Sequence, residues 1–244
     1  MCGVIGYQPR IDQTIGEQRE AATAFGALFQ ESTVRGQHYY GIAQPGNPQP
    51  DGYSGGFSIY RSRYRSNIPE RFNPRQPAVA HTRFSQSGDW RVPENNQPLI
   101  VGTRALAMNG VIHMGNKSEF EQAFGVKCSV DNDAEIFLRH LEKEDDNGDA
   151  LTPLSFINSI TGSFAGVWLE NHDDGLCVLY AARNPRRPLW MSTQHGAVWV
   201  ASTLDIFLRA GFEGARALPA GEIHCEAPYF NTQVDALLAE KMND

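Results

Sequence analysis

Between residues 163 and 202 the chain runs through three segments of strand composition, 163–170, 176–182 and 197–202. The first two are separated by Asn171-His-Asp-Asp-Gly175, a good hairpin turn. A parallel crossover needs a dozen or more residues, so this pair is antiparallel. Earlier segments at 3–7, 57–60, 78–84 and 99–107 also read as strands, divided by turn-rich stretches, and 222–225 reads as a last one. Helical patterning falls into groups. Residues 15–30 carry Ile15, Ala22, Phe25 and Phe29 at helical spacing. Residues 118–124, 133–142, a short stretch opened by Thr152-Pro153, and 203–210 follow. For 133–142 the expectation is an N-cap at Asn132 with Glu135 completing a capping-box variant, and an apolar face of Ile136, Phe137 and Leu141. Sheets covered by helices on their outer faces fit this order better than a parallel βαβ repeat. No composition shift marks a linker, so residues 2–244 are expected to form one domain.

Composition narrows the function. The 244 residues carry 21 basic and 28 acidic side chains, a net charge of −7. Nucleic acid is therefore not the expected direct ligand. No apolar run approaches the ~18 residues of a membrane span, and the start MCGVIGYQPR lacks the basic and apolar regions of a secretory signal. The four cysteines (Cys2, Cys128, Cys177, Cys225) form no CxxC, which argues for a reducing, cytoplasmic setting.

Three local patterns fail on context. Gly52-Tyr-Ser-Gly-Gly56 has the spacing of a nucleophile elbow, but a Pro-rich loop (44–56) precedes it and a strand follows, where a strand and a helix are needed. Gly110 to Ser118 resembles a P-loop with Lys117 one place too far along. The seven histidines include no HExxH and no ligand cluster, so neither metal nor cofactor is expected. The acidic run 142–149 reads as solvated. The Pro- and Arg-rich stretch 60–77 reads as a solvated insertion, with a docking or nucleotide-facing loop as the alternative.

Cys2 carries more information. Cysteine is small enough for the initiator Met to be trimmed ahead of it. A terminal cysteine then holds nucleophile and base on one residue, because its α-amine has a pKa near ~7.7–8.0 and can take the thiol proton directly or through one water. Further motifs follow in order: Cys2-Gly-Val-Ile-Gly6, Val34-Arg-Gly-Gln37 with Gly41-Ile-Ala43, His81-Thr-Arg-Phe84, Asn109-Gly-Val-Ile112, Asp131-Asn-Asp-Ala-Glu135, Gly162-Ser-Phe-Ala165, Ala182-Arg-Asn-Pro185 and Ala201-Ser202. In content and order they resemble the class II glutamine amidotransferases, of the N-terminal-nucleophile hydrolase (Ntn) kind, over about residues 2–210.

The resemblance implies an αββα sandwich and a glutaminase: Cys2 attacks the side-chain amide of L-glutamine, ammonia leaves, and water hydrolyses the thioester. It implies Asn109 (side-chain NH2) and Gly110 (backbone N–H) as donors to the oxyanion. Arg83 is implied for the substrate α-carboxylate and Asp133 for the α-ammonium, with Phe84 and Gln86 in the substrate loop. Arg35 is expected to organise the Cys2 loop from behind. Departures are Met108 where His is usual, His113 where Asn is common, Ser85-Gln-Ser-Gly88 in the substrate loop, and Thr203-Leu204 in place of a Glu after Ala201-Ser202. With the family's landmarks ending near residue 205, the expectation is a stand-alone glutaminase subunit that passes ammonia to a separate synthase. A catalytically retired glutamine-binding regulator, or an amidohydrolase of another γ-glutamyl or linear amide, is the alternative.

Overall fold

The computed structural model describes residues 1–46, 56–143 and 152–227. Residues 52–55 of the elbow-like pattern, most of the 44–56 loop and residues 144–149 of the acidic run lie outside the described residues. In chain order the elements are β1 (Gly3–Pro9), α1 (Ile15–Ser32), β2 (Tyr39–Pro45), β3 (Phe57–Ser62), β4 (Ala78–Arg83), β5 (Leu99–Val101), β6 (Arg104–Met108) and β7 (Val111–Ile112). Helices α2 (Lys117–Phe124), α3 (Glu135–His140) and α4 (Pro153–Ser159) come next. The rest are β8 (Gly162–Ser163), β9 (Ala165–Asn171), β10 (Cys177–Arg183), β11 (Trp190–Gln194), β12 (Ala197–Ala201), α5 (Leu204–Arg209), β13 (Arg216–Ala217) and β14 (Ile223–Glu226).

The strands form a seven-stranded sheet, β13-β11-β12-β1-β4-β2-β3, a five-stranded sheet, β14-β10-β9-β6-β5, and the small pair β7-β8. The ladders are antiparallel, as the short connections require. Three apolar clusters separate four layers. Ile5, Tyr7, Ala80 and Trp199 pack outward against Phe25, Leu28 and Phe29 of α1 and Phe207 of α5. Val4, Val79 and Val200 face Ala107, Val167 and Leu179 between the sheets. Leu106, Met108 and Trp168 pack on Ile136 and Phe137 of α3 and Phe156 of α4. This is the expected αββα sandwich.

Strand β1 explains how the layers are joined. It is buried from end to end, and its residues alternate between the two apolar clusters on either side. Gln8, on the inter-sheet face, accepts a hydrogen bond from the backbone N–H of Leu179 in the other sheet at 3.1 Å. Gly3 has no space for a side chain: a Cβ there would lie 2.9 Å from the Ser32 carbonyl oxygen at the end of α1. The chain start is thereby pinned against the helix terminus.

Several local expectations shift. The buried face of α1 is Ala21, Ala24, Phe25, Leu28, Phe29 and Ser32, whereas Ala22 is exposed and Ile15 is 63% exposed. Ile15 is the first residue of the helix. Thr14 and Glu17 make a full capping box at the start of α1. The capping box expected at 132–135 does not form. Glu135 is buried and its carboxylate accepts from the N–H groups of Ser129 and Val130, tying down the preceding loop, while Asn132 Oδ1 accepts from Ala134 N–H. The segment at 99–107 is two strands with a turn at Gly102, where φ is +54°. The 60–77 stretch is packed rather than free: Ile68 and Phe72 enter the α1 cluster, and Arg61 donates to the Pro98 carbonyl at 2.7 Å.

Phe137 is fully buried, with ring centroids 4.9 to 5.4 Å from Phe164, Trp168 and Phe156. Phe137→Ala is expected to cost about 3–5 kcal/mol. Urea unfolding should show a lower midpoint at an unchanged slope.

Candidate active site

The alternation that builds the sandwich also delivers side chains to one end of it. On β4, Ala78 and Ala80 face α1 and Val79 faces the second sheet, so His81 and Arg83 point between the sheets too. On β1, Val4 faces inward, which sends Cys2 the same way. Asn109 and Gly110 lie in the turn between β6 and β7, and Asp133 lies two residues before α3. Residues 84–88 form the loop after β4 and close over this end.

Cys2 is buried and held on every side. Its backbone N–H donates to Asn109 Oδ1 at 3.1 Å, and its carbonyl accepts from Arg35 Nε at 2.8 Å. Its Sγ lies 3.4 Å from both the N–H and the carbonyl oxygen of Phe84. Burial pushes the thiol up from its ordinary value, which the Phe84 N–H, the chain-terminal ammonium and Arg83 only partly offset. The thiol is therefore protonated at neutral pH, and a nucleophile made from it needs an adjacent base.

Asn109 spends one end of its amide on Cys2, and the other end is unspent. Its Nδ2 is buried with no hydrogen-bond partner. The backbone here is anchored by reciprocal bonds between Asn109 and Ala165, 2.8 and 3.0 Å long. At Gly110 a Cβ would collide with the Ser163 carbonyl oxygen, so only glycine lets the turn lie against β8.

Arg83 is 2% exposed. Its Nη2 donates to the Ser87 carbonyl, to the Gly88 carbonyl at 3.3 Å and to Ser85 Oγ at 3.4 Å, while its Nη1 is buried without a partner. Asp133 accepts from Ser87 Oγ at 2.8 Å and from Ile112 N–H at 2.8 Å. Cys2, Arg83, Phe84, Gln86, Gly110 and Asp133 line one cavity of about 20 Å³. A cavity this small admits a larger molecule only if its walls, the 84–88 loop among them, give way.

The sequence-derived site residues thus converge on one cavity, with Asn109 beside it and Arg35 behind Cys2. Phe84 and Gln86 line the cavity and are also exposed to solvent. Ser87, in the same loop, turns inward to Asp133. Residues given no site role beforehand also line the cavity: His81, Gln97, Met108 and Asn132. For His81 the signal was present in its place two residues before Arg83 on a strand. Gln97 and Met108 reach the cavity only because the second sheet packs on the first.

A larger hollow of about 440 Å³ lies at the far end of β1, lined by Gln8, Arg10, Gln18, Arg75 and Cys177 among others. Volume does not make it the better site. Its buried side-chain polar atoms all have partners, and the Cys177 thiol is pushed up to about 12 by burial and Glu170. Cys128 is likewise pushed up to about 12, by burial first and then by Glu135 and Glu121. Among the described residues no group of His, Cys, Asp and Glu is arranged to hold a metal ion, and no helix is long and apolar enough to cross a membrane.

A model of the glutamine amidotransferase domain family matches residues 81–209. No curated protein matches the chain significantly. Among solved structures, a glutamine phosphoribosylpyrophosphate amidotransferase from B. subtilis, complexed with ADP and GMP, superposes with a TM-score of 0.65 at 19% identity, over 94% of this chain and 50% of its own. A structure described as the allosteric regulatory enzyme of purine biosynthesis gives the same values. This chain spans about half the length of either, and at that identity the likeness is one of fold, the Ntn-hydrolase sandwich.

Asp133 gives the site a pH signature. Burial raises its carboxyl above the ordinary range, against the pull of the Ile112 and Ser87 hydrogen bonds and of Arg83. A raised carboxyl pKa costs stability once the unfolded chain ionises, and the cost vanishes in acid where both states are protonated. Asp133→Asn keeps an acceptor for Ile112 and donates to Ser87 Oγ instead. Urea unfolding from about pH 3 to pH 7 should show the variant gaining on the wild type as pH rises.

Proposed function

The chain belongs to the glutamine amidotransferase family of the class II, N-terminal-nucleophile kind, and from that premise we propose that it hydrolyses L-glutamine to glutamate and ammonia through a thioester on Cys2. The observation that carries this reading is the Asn109 amide, whose Oδ1 holds the nitrogen of Cys2 while its Nδ2 stays buried and unspent. A buried donor without a partner is costly in a resting protein. It is useful where an oxyanion develops beside it, and one such donor is worth roughly 3–4 kcal/mol to the transition state.

In this reading Met1 is removed, and the α-amine of Cys2 takes the thiol proton. Sulfur attacks the amide carbon of glutamine. Asn109 Nδ2 and the Gly110 N–H stabilise the oxyanion, and the amine returns the proton to the departing ammonia. Arg83 offers its free Nη1 to the substrate α-carboxylate, and Asp133 faces the α-ammonium. Arg35 fixes the Cys2 carbonyl, so the nucleophile keeps its place after Met1 is lost. The ammonia then passes to a separate synthase, a transfer supported by the amide-donating role that names the family. The setting proposed is the cytoplasm.

Intact-mass analysis should show a chain beginning at Cys2. Cys2→Ala should release no ammonia from glutamine. Asn109→Ala should lower kcat by about 10²–10³ with KM moved less, whereas Arg83→Ala should act chiefly on KM. A wild type that binds glutamine without releasing ammonia would make the chain a binding subunit instead. Faster cleavage of another γ-glutamyl amide would reassign the substrate.

A further inference from the structure

His81 takes no part in the reaction as described, yet it lines the cavity that holds Cys2, Arg83, Gly110 and Asp133. It is 1% exposed, and its Nε2 lies 3.2 Å from the Met108 carbonyl oxygen. A carbonyl only accepts, so Nε2 carries the ring hydrogen and Nδ1 is left as a bare lone pair. That Nδ1 is buried without a partner, and it is the one unpaired buried acceptor among the side chains lining the cavity. Burial, and then the charge of Arg83, hold the imidazole down to about 3, so the ring stays neutral.

The Nδ1 of His81 is thus an acceptor that no donor meets in the resting protein. Glutamine brings two nitrogen donors. Its α-ammonium has Asp133 to face, and its side-chain amide nitrogen departs as ammonia in the first step. The donor that must enter next is the water of the second step.

Resting on the glutaminase reading, we propose that His81 Nδ1 accepts an O–H of the water that hydrolyses the Cys2 thioester and aims its oxygen at the acyl carbon. The water oxygen bonds to that carbon, and its other proton goes to the Cys2 α-amine. The C–S bond breaks, sulfur leaves with the electron pair, and the ammonium returns its proton to it. The hydrogen facing His81 stays on the new γ-carboxyl group and is shed to solvent. The imidazole is too weakly basic to take a proton itself, so its part is orientation.

Two substitutions separate this role from a structural one. His81→Gln keeps a donor for the Met108 carbonyl and removes the acceptor at the Nδ1 position. His81→Asn keeps an acceptor there and cannot reach Met108. Turnover on glutamine is acid-quenched, and intact mass gives the fraction of chains with a γ-glutamyl group on Cys2, alongside first-turnover ammonia. In His81→Gln the first ammonia release should match wild type, the adduct should accumulate, and steady turnover should slow about 10-fold. His81→Asn should stay near wild type. Turnover by His81→Gln without added adduct overturns the assignment. So does equal impairment of His81→Asn, which would place the role in the Met108 bond. If thermal unfolding shows that His81→Gln does not fold, adduct accumulation in His81→Asn overturns it alone. A wild type forming neither adduct nor ammonia defeats the glutaminase reading itself, and this one with it.

Discussion

The candidate site depends on two neighbouring strands, β1 and β4, that are buried on both faces. A strand in that position has no solvent side, so each residue belongs either to the helix-facing cluster or to the inter-sheet cluster. The inward set of β4 is Val79, His81, Arg83, and that of β1 begins at Val4, with Cys2 immediately ahead of the strand. Apolar packing at Val4 and Val79 holds the register. The polar members at the strand ends are then carried, without further adjustment, into the gap between the sheets. A one-residue slip would bury Thr82 where Arg83 stands and send the thiol toward α1.

That placement has an energetic cost which the surrounding structure partly offsets. Arg83, Asp133, Asn109 and His81 are all buried polar side chains. Each is satisfied on one side: Arg83 by the carbonyls of its own loop, Asp133 by Ile112 and Ser87, Asn109 by Cys2, His81 by Met108. Three of them keep a further atom without a partner. Buried polar groups are ordinarily paired, so unpaired atoms gathered around a single thiol mark a place where the fold leaves bonds to be made with a ligand.

The loop after β4 links this arrangement to its surroundings. Its inner side supplies Ser87 to Asp133 and backbone groups to Cys2 and Arg83. Its outer side stacks Phe84 on His38, which stacks in turn on Trp90. Opening the cavity therefore exchanges contacts on both sides of the loop together. The basic stretch after β3 is drawn into the same region, with Arg63 lying 5.4 Å from the Trp90 ring centre.

Much of this was legible in the residues. Short connections dictated antiparallel strands, and Thr152-Pro153 and the 171–175 turn behaved as their local chemistry requires. Cys2, the Asn109-Gly110 pair and the Arg83–Asp133 pair could be named as site candidates from the ordered motifs that carry the family resemblance. The exposed Ile15, the loop-tying Glu135 and the cavity-lining Gln97 could not. Their environments are set by segments far away in sequence, and local periodicity does not record which face a distant strand will cover. The sequence determined which groups are present and the strand period that spaces them. The packing of one sheet on the other decided which of those groups meet, and which polar atoms are left unpaired, since that depends on the distance and register between segments that the chain order alone does not relate.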